Sequence, residues 1–500
     1  MMISFPITAI FLLASFGLWV IHYKNKNLLL LSVILAVIHG VVRFFSALIP
    51  ATAFLLISLD LLLLGLFSMA LIYFRKNIFL QWGIYALTIG SLVYHQLGTD
   101  DYKKYEVDRE WEILLQTDPN HPLTELKGFI SKYNLESQVA FNPEDENATD
   151  LDDYWVIGIP KKGERHIQFI RRKLEKFPGV LWIEYNENYE IALPDEYRVT
   201  QPRKMVMAND PMTEKQWGMT ALQADDYLEW IQNHQIAPKQ KAKVFILDSG
   251  VESGHEDLEV VSPGNEKDNL TDKRGHGTHV AGIAGAITNN AKGIASLIPG
   301  PDWIELHSIK VINDFGFGTQ KDIIKGIIEA VDQGADVINL SLGARSYQNK
   351  EKAYKKAIDY AVRKKVIVVA AAGNSSGNAR DFVPANLDHV ITVAAVNYDL
   401  RLASFSNHVR DVSFGLSAPG ESILSTFTGN TYKTLSGTSM AAPFISGFAG
   451  VLKALDPDLD HEDVYRIIHE TGSIHAQDAS AGTLLNPVDA LRKLKKESSK

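Results

Sequence analysis

KVFILDSGV, residues 243–251, is a near-continuous apolar run that ends in an aspartate and its following small residues. Runs of this kind are typical of parallel strands that are covered on both faces. Four more runs share the pattern: IELHSIKV (304–311), DVINLSL (336–342), VIVVAAAG (366–373) and HVITVAAV (389–396). Stretches with helical periodicity, such as 319–333 and 350–363, lie between them. The alternation predicts that residues 205–500 form one large α/β domain with a doubly wound, mostly parallel sheet.

Three segments of this domain carry the residue types of nucleophilic catalysis. VFILDSGV places Asp248 at the carboxyl end of a buried strand, the edge at which α/β sheets usually bind their ligands. RGHGTHVAG places His276 beside glycines at the start of a helix, and LSGTSMAAP places Ser439 at the N-terminus of another helix. A serine hydroxyl needs a base that takes its proton, and a carboxylate can hold that base in the correct tautomer.

Each segment taken alone has an ordinary structural explanation. An aspartate that ends a strand can cap a turn, and a serine that begins a helix is a common N-cap. His276 and His279 together suggest a metal, but the segment lacks the glutamate of a zinc-binding HExxH motif. We therefore expect His279 to be a packed helix residue. The three segments together, on the expected elements, favour catalysis.

The three segments resemble the catalytic signatures of the subtilase family, in its chain order of Asp, His and Ser, and the resemblance covers residues 210–491. It implies a serine endopeptidase in which Ser439 is the nucleophile, His276 the general base and Asp248 the residue that orients the base. It also implies that Asn374, in VVAAAGN, donates its side-chain amide to the oxyanion. The resemblance implies a substrate cleft walled by two segments: Ser341, Leu342, Gly343, Ala371, Ala372 and Gly373.

The resemblance implies no cofactor for the chemistry but one structural calcium ion. Asp210 and Asp257 would supply carboxylates, Asn290 a side-chain carbonyl, and the loop 288–294 backbone carbonyls. Calcium prefers such all-oxygen shells. The alternative is that these are turn and capping residues, because Lys292 is an unfavourable neighbour for a cation.

Composition excludes several other classes of site. The chain has no cysteine, which excludes disulfides, thiolate metal sites and a cysteine nucleophile. The whole chain has a net charge of −9. Residues 1–97 carry a net charge of +4, so the rest of the chain carries −13. This acidic remainder argues against a nucleic-acid partner, which requires clustered Lys and Arg.

The first 97 residues contain four apolar stretches, at 3–21, 28–49, 51–74 and 78–97. Each has about the ~20 residues that a helix needs to cross a bilayer, so we predict four transmembrane helices in residues 1–97. The first stretch lacks the basic region that begins a signal peptide. Arg43 and Asp60 lie within the second and third stretches at similar predicted depths, which favours a structural ion pair over a transport or sensing role.

Basic residues mark two of the connectors between these stretches. Lys24 and Lys26 lie in the first connector, and Arg75 and Lys76 lie in the third. The positive-inside rule keeps both connectors in the cytoplasm. We therefore predict a multi-pass protein of the cell membrane whose catalytic domain lies on the extracytoplasmic side.

Between a charged linker, residues 98–110, and the catalytic domain, residues 111–204 have the pattern of a small α+β unit. The predicted order is strand, helix, strand, strand, helix, strand, which is typical of a ferredoxin-like sandwich. FPGVLWIEYNENYEIALP resembles the end of subtilase inhibitor propeptides. The resemblance implies a propeptide that the enzyme removes by cutting itself between residues 195 and 208.

Two alternatives to a self-processing protease remain at this point. The α/β domain could bind peptides, as a relative without catalytic activity would. The membrane region could instead be a sensor or carrier, with the protease domain as its output. The first alternative has no support in the residues, because every chemical group is present.

Overall fold

The computed structural model describes residues 108–498, except for residues 109, 122, 161–163, 191–204, 206–207, 347–350 and 474–478. The four predicted membrane helices, in residues 1–97, lie outside the described residues. We call residues 110–190 the α+β domain and residues 208–498 the α/β domain.

The α+β domain is a four-stranded antiparallel sheet with two helices. In chain order its elements are β1 (Ile113–Thr117), α1 (Leu123–Lys132), β2 (Glu136–Val139), β3 (Tyr154–Gly158), α2 (Glu164–Leu174) and β4 (Val180–Tyr185). A short strand, β5 (Asn188–Glu190), follows. The strand order is β2-β3-β1-β4, and each neighbouring pair is antiparallel. This is the ferredoxin-like arrangement that the sequence predicts.

Both faces of this sheet are covered, which explains why β1 is apolar at successive positions. Ile113 and Leu115 pack in a cluster with helices α1 and α2. Leu114 points to the other face and belongs to an apolar cluster shared with the α/β domain, which includes Tyr354. Since the side chains of a strand alternate between faces, one strand serves both clusters.

The α/β domain contains the remaining strands and helices. Its strands are β6 (Ala242–Asp248), β7 (Val260–Val261), β8 (Ile304–Lys310), β9 (Phe317–Thr319), β10 (Val337–Leu340), β11 (Ala344–Arg345), β12 (Ile367–Ala371), β13 (Phe382–Val383), β14 (Val390–Val396), β15 (Phe414–Pro419), β16 (Ile423–Phe427), β17 (Thr431–Leu435) and β18 (Thr483–Leu484). Its helices are α3 (Trp217–Ala221), α4 (Ala224–Asn233), α5 (His276–Gly285), α6 (Gln320–Asp332), α7 (Lys352–Arg363), α8 (Thr438–Leu455), α9 (His461–Thr471) and α10 (Pro487–Glu497).

Eight strands form one parallel sheet with helices on both faces, as the sequence predicts. The strand order is β18-β15-β14-β12-β10-β6-β8-β7. Along β6, Val244 and Ile246 join the apolar cluster that contains α5 and α8. Phe245 and Leu247 join the cluster on the other face, which contains α6 and α7. The near-continuous apolar runs therefore arise because the sheet is buried on both sides.

Helix α8 lies inside the α/β domain. Among the described residues it is the one helix that is long and apolar enough to cross a membrane, but 94% of it is buried within the protein. Buried Lys453 donates from its Nζ atom to the carbonyl oxygens of Pro457 and Leu459, at 2.7 and 3.1 Å. These contacts fix the chain where it leaves the helix. Because α8 is buried within the protein, it is a core helix of this domain.

Candidate active site

Asp248 and His276 form a buried pair at the carboxyl edge of the sheet. The Nδ1 atom of His276 lies 2.8 Å from Oδ1 of Asp248, and both side chains are fully buried. The backbone N–H of Ser249 donates to the same oxygen at 2.7 Å. Burial lowers the pKa of His276, but the charge and hydrogen bond of Asp248 raise it, and the net effect is a raised pKa. The carboxylate thus fixes the ring and leaves its Nε2 atom for other chemistry.

Helix α5 approaches the end of β6 closely because its second residue is a glycine. A Cβ atom on Gly277 would lie 2.1 Å from the carbonyl oxygen of Gly250. Gly275, which precedes the helix, has φ 79, and a Cβ atom there would lie 2.3 Å from the ring of Phe427. These two glycines explain why His276 can begin a helix directly beside Asp248.

Asp272 is a positioning residue that our sequence interpretation missed. One oxygen of its buried carboxylate accepts hydrogen bonds from Ser249 Oγ at 3.0 Å and from Gly275 N at 2.8 Å. The other oxygen accepts from the backbone nitrogen and the hydroxyl of Thr278, at 2.9 and 2.8 Å. Asp272 therefore ties the first turn of α5, which carries His276, to the strand that carries Asp248. An acidic residue shortly before a helix start was the available signal.

Ser439 lies in the first turn of α8, as the sequence predicts. Its Oγ atom donates to the carbonyl oxygen of Ser341 at 3.1 Å. Within the part of the chain that the structure describes, Nε2 of His276 has no hydrogen-bond partner. The structure therefore brings Asp248 and His276 into contact, while the hydroxyl of Ser439 points to a backbone carbonyl.

A chain of buried hydrogen bonds attaches α8 to β10. Ser446 Oγ donates to Asn339 Oδ1 at 2.7 Å, and Asn339 Nδ2 donates to Ser341 Oγ at 2.9 Å. Ser341 Oγ in turn donates to the carbonyl oxygen of Ser439 at 2.9 Å. Because buried polar groups are costly to leave unpaired, this chain fixes the position of the serine relative to the sheet.

Asn374 follows β12, and its side-chain orientation is fixed by Thr438. Its Oδ1 atom accepts from the backbone nitrogen and the hydroxyl of Thr438, each at 2.9 Å. The hydroxyl of Thr438 also accepts from the backbone nitrogen of Gly373 at 3.0 Å. With its oxygen engaged, the amide nitrogen of Asn374 is the donor that remains for a substrate oxyanion.

The two predicted wall segments follow neighbouring parallel strands. Leu340 of β10 pairs with Ala370 of β12, so residues 341–343 and 371–373 leave the same edge of the sheet. Gly343 is exposed and Gly373 is half-buried, whereas the other four predicted residues are buried: Ser341, Leu342, Ala371 and Ala372. Leu342 packs in the apolar cluster that the two domains share, and the cleft role of the six residues stays a prediction.

His279 is a packed helix residue. Its Nε2 atom lies 3.1 and 2.9 Å from the carbonyl oxygens of Ile423 and Lys433. Burial lowers its pKa to about 3, so the ring is neutral. Its ring contacts are structural.

The predicted calcium residues lie together, and the amide of Asn290 makes two hydrogen bonds among them. Its side-chain nitrogen donates to Asp257 at 2.8 Å, and its oxygen accepts from the backbone nitrogen of Lys292 at 2.8 Å. The carboxylate of Asp210 accepts from the backbone nitrogens of Asn289 and Asn290, at 2.9 and 3.1 Å. The role of Asn290 as a carbonyl ligand stays a prediction.

The two carboxylates themselves remain suitable for a cation. Burial raises the pKa of both Asp210 and Asp257, and the charge of Asp210 raises that of Asp257 further. The ammonium of Lys292 lies 4.0 Å from a carboxylate oxygen of Glu256, which offsets its charge. The calcium site stays a prediction.

Comparison with known proteins agrees with this arrangement. Residues 239–487 match the sequence model of the Subtilase family. A thermophilic serine proteinase from Bacillus sp. (strain AK1) is 44% identical over 215 residues, which are 42% of this chain and 51% of that protein. The match thus spans about half of that relative.

Two other relatives are matched over most of their length. Thermitase from Thermoactinomyces vulgaris is 40% identical over 250 residues, which are 49% of this chain and 84% of thermitase. A thermostable alkaline protease from Halalkalibacterium halodurans is 29% identical over 353 residues, which are 69% of this chain and 88% of that protein. The chain therefore belongs to the subtilase family, and its α/β domain is that of a serine endopeptidase.

Proposed function

We propose that this protein is a membrane-anchored endopeptidase that activates itself by removing its α+β domain, and that Asp248, His276 and Ser439 carry out the chemistry. The buried hydrogen bond between Asp248 and His276, beside a serine at a helix N-terminus, is the observation that carries the catalytic part. Because Nδ1 of the imidazole is bound to a carboxylate, Nε2 is the nitrogen that can act as a general base.

The proposed reaction begins when the hydroxyl of Ser439 leaves the carbonyl of Ser341 and turns to Nε2 of His276. His276 takes the hydroxyl proton as Ser439 Oγ bonds to the substrate carbonyl carbon. The negative charge on the carbonyl oxygen is stabilised by the amide of Asn374 and the backbone N–H of Ser439. His276 then gives the proton to the leaving amine, and water hydrolyses the acyl-enzyme by the same steps in reverse.

The contacts of the α+β domain support a propeptide role. Glu184 accepts hydrogen bonds from the backbone nitrogens of Lys352 and Ala353, at 3.2 and 3.3 Å, at the start of α7. Asn186 Oδ1 accepts from the backbone nitrogen of Lys321 at 3.0 Å, in the first turn of α6. Helix N-termini carry unpaired N–H groups and positive partial charge, so these acceptors dock the domain on both helices.

The last described strand of the α+β domain supports cleavage in cis. β5 pairs antiparallel with β9, with Asn188 opposite Thr319 and Glu190 opposite Phe317. The chain therefore runs along an edge of the α/β domain towards Gly316. A Cβ atom on Gly316 would lie 3.2 Å from the guanidinium of Arg274, two residues before His276. The described part of this strand ends at Glu190, opposite Phe317, and the predicted cleavage interval 195–208 follows it in the sequence.

One relative supports the propeptide by length. The match to the Halalkalibacterium protease covers 69% of this chain, more than the predicted catalytic domain alone comprises. The matched region therefore includes residues before 205.

The decisive experiment compares the purified wild-type chain with Ser439→Ala. We expect N-terminal sequencing to find a new terminus between residues 195 and 208 in the wild type only, and a fluorophosphonate to label the wild type only. Cleavage of pure Ser439→Ala protein at the same bond would refute self-processing. An unlabelled, folded and fully processed wild type would refute serine catalysis.

The membrane part of the proposal rests on the apolar stretches and basic connectors of residues 1–97. An even number of spans with Lys24, Lys26, Arg75 and Lys76 in the cytoplasm leaves residue 98 outside. The proposed substrates are then extracytoplasmic proteins, and self-cleavage removes the covalent link to the bilayer. A reporter fused after residue 110 of the Ser439→Ala chain should be active outside the cytoplasm. Activity only in the cytoplasm would overturn this orientation.

A further inference from the structure

Two histidines and a glutamate meet at the amino edge of the main sheet. His389 directly precedes β14, and His461 and Glu462 are the first residues of α9. Nδ1 of His389 lies 2.9 Å from Nε2 of His461. One ligand atom from each of the three residues lies within 4.8 Å of the others.

We propose that His389, His461 and Glu462 bind one divalent cation of the class that prefers imidazole ligands, for which zinc is the typical case. Two histidines and one carboxylate are a known zinc ligand set, and it leaves a fourth position for water. Calcium prefers oxygen ligands throughout, so it is a poor occupant here.

The distance between the nitrogens is close to what such an ion requires. Two nitrogens at about 2.0–2.1 Å from a tetrahedral ion are about 3.4 Å apart. The observed separation is 2.9 Å. The pair must therefore open by about half an ångström, and His389, which is half-buried, has room to move.

His461 is held in place before any ion binds. It is 5% exposed, and the ring of Phe414 packs edge-on against it with centroids 5.3 Å apart. Phe414 in turn packs against Tyr465, one turn further along α9. A ligand fixed by its packing loses little conformational entropy when the ion binds.

The charge around the pair is negative. A helix N-terminus alone would disfavour a cation, because it carries positive partial charge. Here Asp460 caps the helix, and Glu462 and Asp463 lie in its first turn. Asp463 pairs with Arg466 at 3.1 Å, so Asp460 and Glu462 are the carboxylates that offset the helix dipole, and Glu462 is exposed and can turn towards the histidines.

The position of the cluster assigns a structural role to the ion. Asp248 ends β6, whereas His389 precedes β14, and the strands of this sheet are parallel. The cluster and the proposed active site therefore lie at opposite edges of the sheet. An ion at the cluster would link the start of β14 to α9, and it would stabilise the fold without entering the reaction.

The test uses the full-length chain with Ser439→Ala, purified in detergent and stripped of metal. Titration calorimetry with Zn²⁺ should detect a site at one equivalent, and Zn²⁺ should raise the melting temperature. Co²⁺ at the same site should show the visible absorption bands of a four-coordinate ion. An equal concentration of Ca²⁺ should not displace Zn²⁺.

Three variants distinguish this site from other metal binding. His389→Asn and Glu462→Gln should each weaken Zn²⁺ binding at least tenfold, whereas His234→Asn, which changes an exposed histidine elsewhere, should leave it unchanged. Glu462→Gln is exposed and should keep the protein folded. A folded protein that binds no Zn²⁺, or that binds it equally well in wild type and both cluster variants, would overturn the proposal. In that case the histidine pair is a hydrogen bond only.

Discussion

Asn374 accepts two hydrogen bonds from Thr438, one from the backbone nitrogen and one from the hydroxyl, each 2.9 Å long. The amide nitrogen is thereby directed away from Thr438, and in the proposed reaction it donates to the substrate oxyanion. Asn374→Asp keeps the acceptor and removes the donor. We expect kcat to fall on the order of a hundredfold to a thousandfold with little change in KM, the loss known for such a donor in subtilisin. An unchanged kcat would contradict the assignment.

Thr438 should affect catalysis through the two neighbours that its hydroxyl contacts, Asn374 and Gly373. Thr438→Val removes one of the two bonds that orient the amide, and a hydrogen bond of this kind contributes about 1 kcal/mol net. We therefore expect kcat to fall about fivefold to tenfold, with KM little changed. Thr438→Ser keeps the hydroxyl and is the matched control, which should retain nearly full activity.

The pH dependence of kcat/KM should report the pair Asp248 and His276. The base must be neutral, so activity falls as pH drops through its pKa, which is raised above 6.5 in this structure. Asp248→Asn removes the negative charge and offers an amide that can face His276 with either end, and burial then lowers the pKa of His276. The acid limb should move to lower pH, while the rate at the optimum falls about 10⁴-fold because the tautomer is no longer enforced.

A change of the opposite sign is expected at Arg274, whose positive charge lowers the pKa of His276. Arg274→Gln should move the acid limb to higher pH. The measurement is the pH profile of each variant against one peptide substrate. If the acid limb of kcat/KM lies at the same pH in the wild type and in both variants, His276 is not the group that limits the rate at low pH.

Docking of the α+β domain should strengthen as pH falls. Burial raises the pKa of Glu184 from 4.5 to about 7 when it is docked, and the N–H donors only partly offset this. Its docked form therefore binds a proton more tightly than its released form. The stabilisation of the docked state by this proton is complete below about pH 4.5 and is lost as the pH rises to about 7.

The measurement is the fraction of α+β domain that stays bound after self-processing, by gel filtration at several pH values. We expect tenfold or greater tightening between pH 7 and pH 5 for the wild type, since one pKa unit is a factor of ten. Glu184→Gln cannot ionise and should bind with little pH dependence over this range. A wild type without pH dependence would show that Glu184 does not ionise in the docked state.

Calcium should raise the melting temperature of the processed protein, and a chelator should lower it. The two buried carboxylates, Asp210 and Asp257, repel each other, and a cation would remove that repulsion. Asp257→Asn should abolish the calcium response, whereas Glu462→Gln should preserve it. Identical melting curves with calcium and with chelator would refute the site.

Local patterns in the sequence were sufficient for the elements that carry the chemistry. β8 (Ile304–Lys310) lies within the predicted apolar run 304–311, and α5 and α8 begin beside the predicted residues His276 and Ser439. These elements follow periodicity and small-residue segments, which depend only on neighbours along the chain.

The contacts that could not be predicted from the sequence join residues that are far apart in the chain. Glu184 accepts from Ala353, and His389 contacts His461, so neither partner carries a local signal. The orientation of the Asn290 amide is also hidden from the sequence. The residue type was compatible with a ligand, but which end of an amide faces Asp257 depends on the folded loop. Such orientations are properties of tertiary structure.

The hydrogen bonds that join Ser446, Asn339 and Ser341 also bear on when, during its synthesis, the protein can first become active. The helix that carries Ser439 lies against strands that precede it in the sequence, and it is buried there. During synthesis Asp248 and His276 emerge first, yet without the serine they cannot attack a peptide bond. Ser439 is synthesised after most of the protein, and the α+β domain has been synthesised before it. A half-made chain therefore lacks the proposed nucleophile, because Ser439 is synthesised late and the α+β domain early.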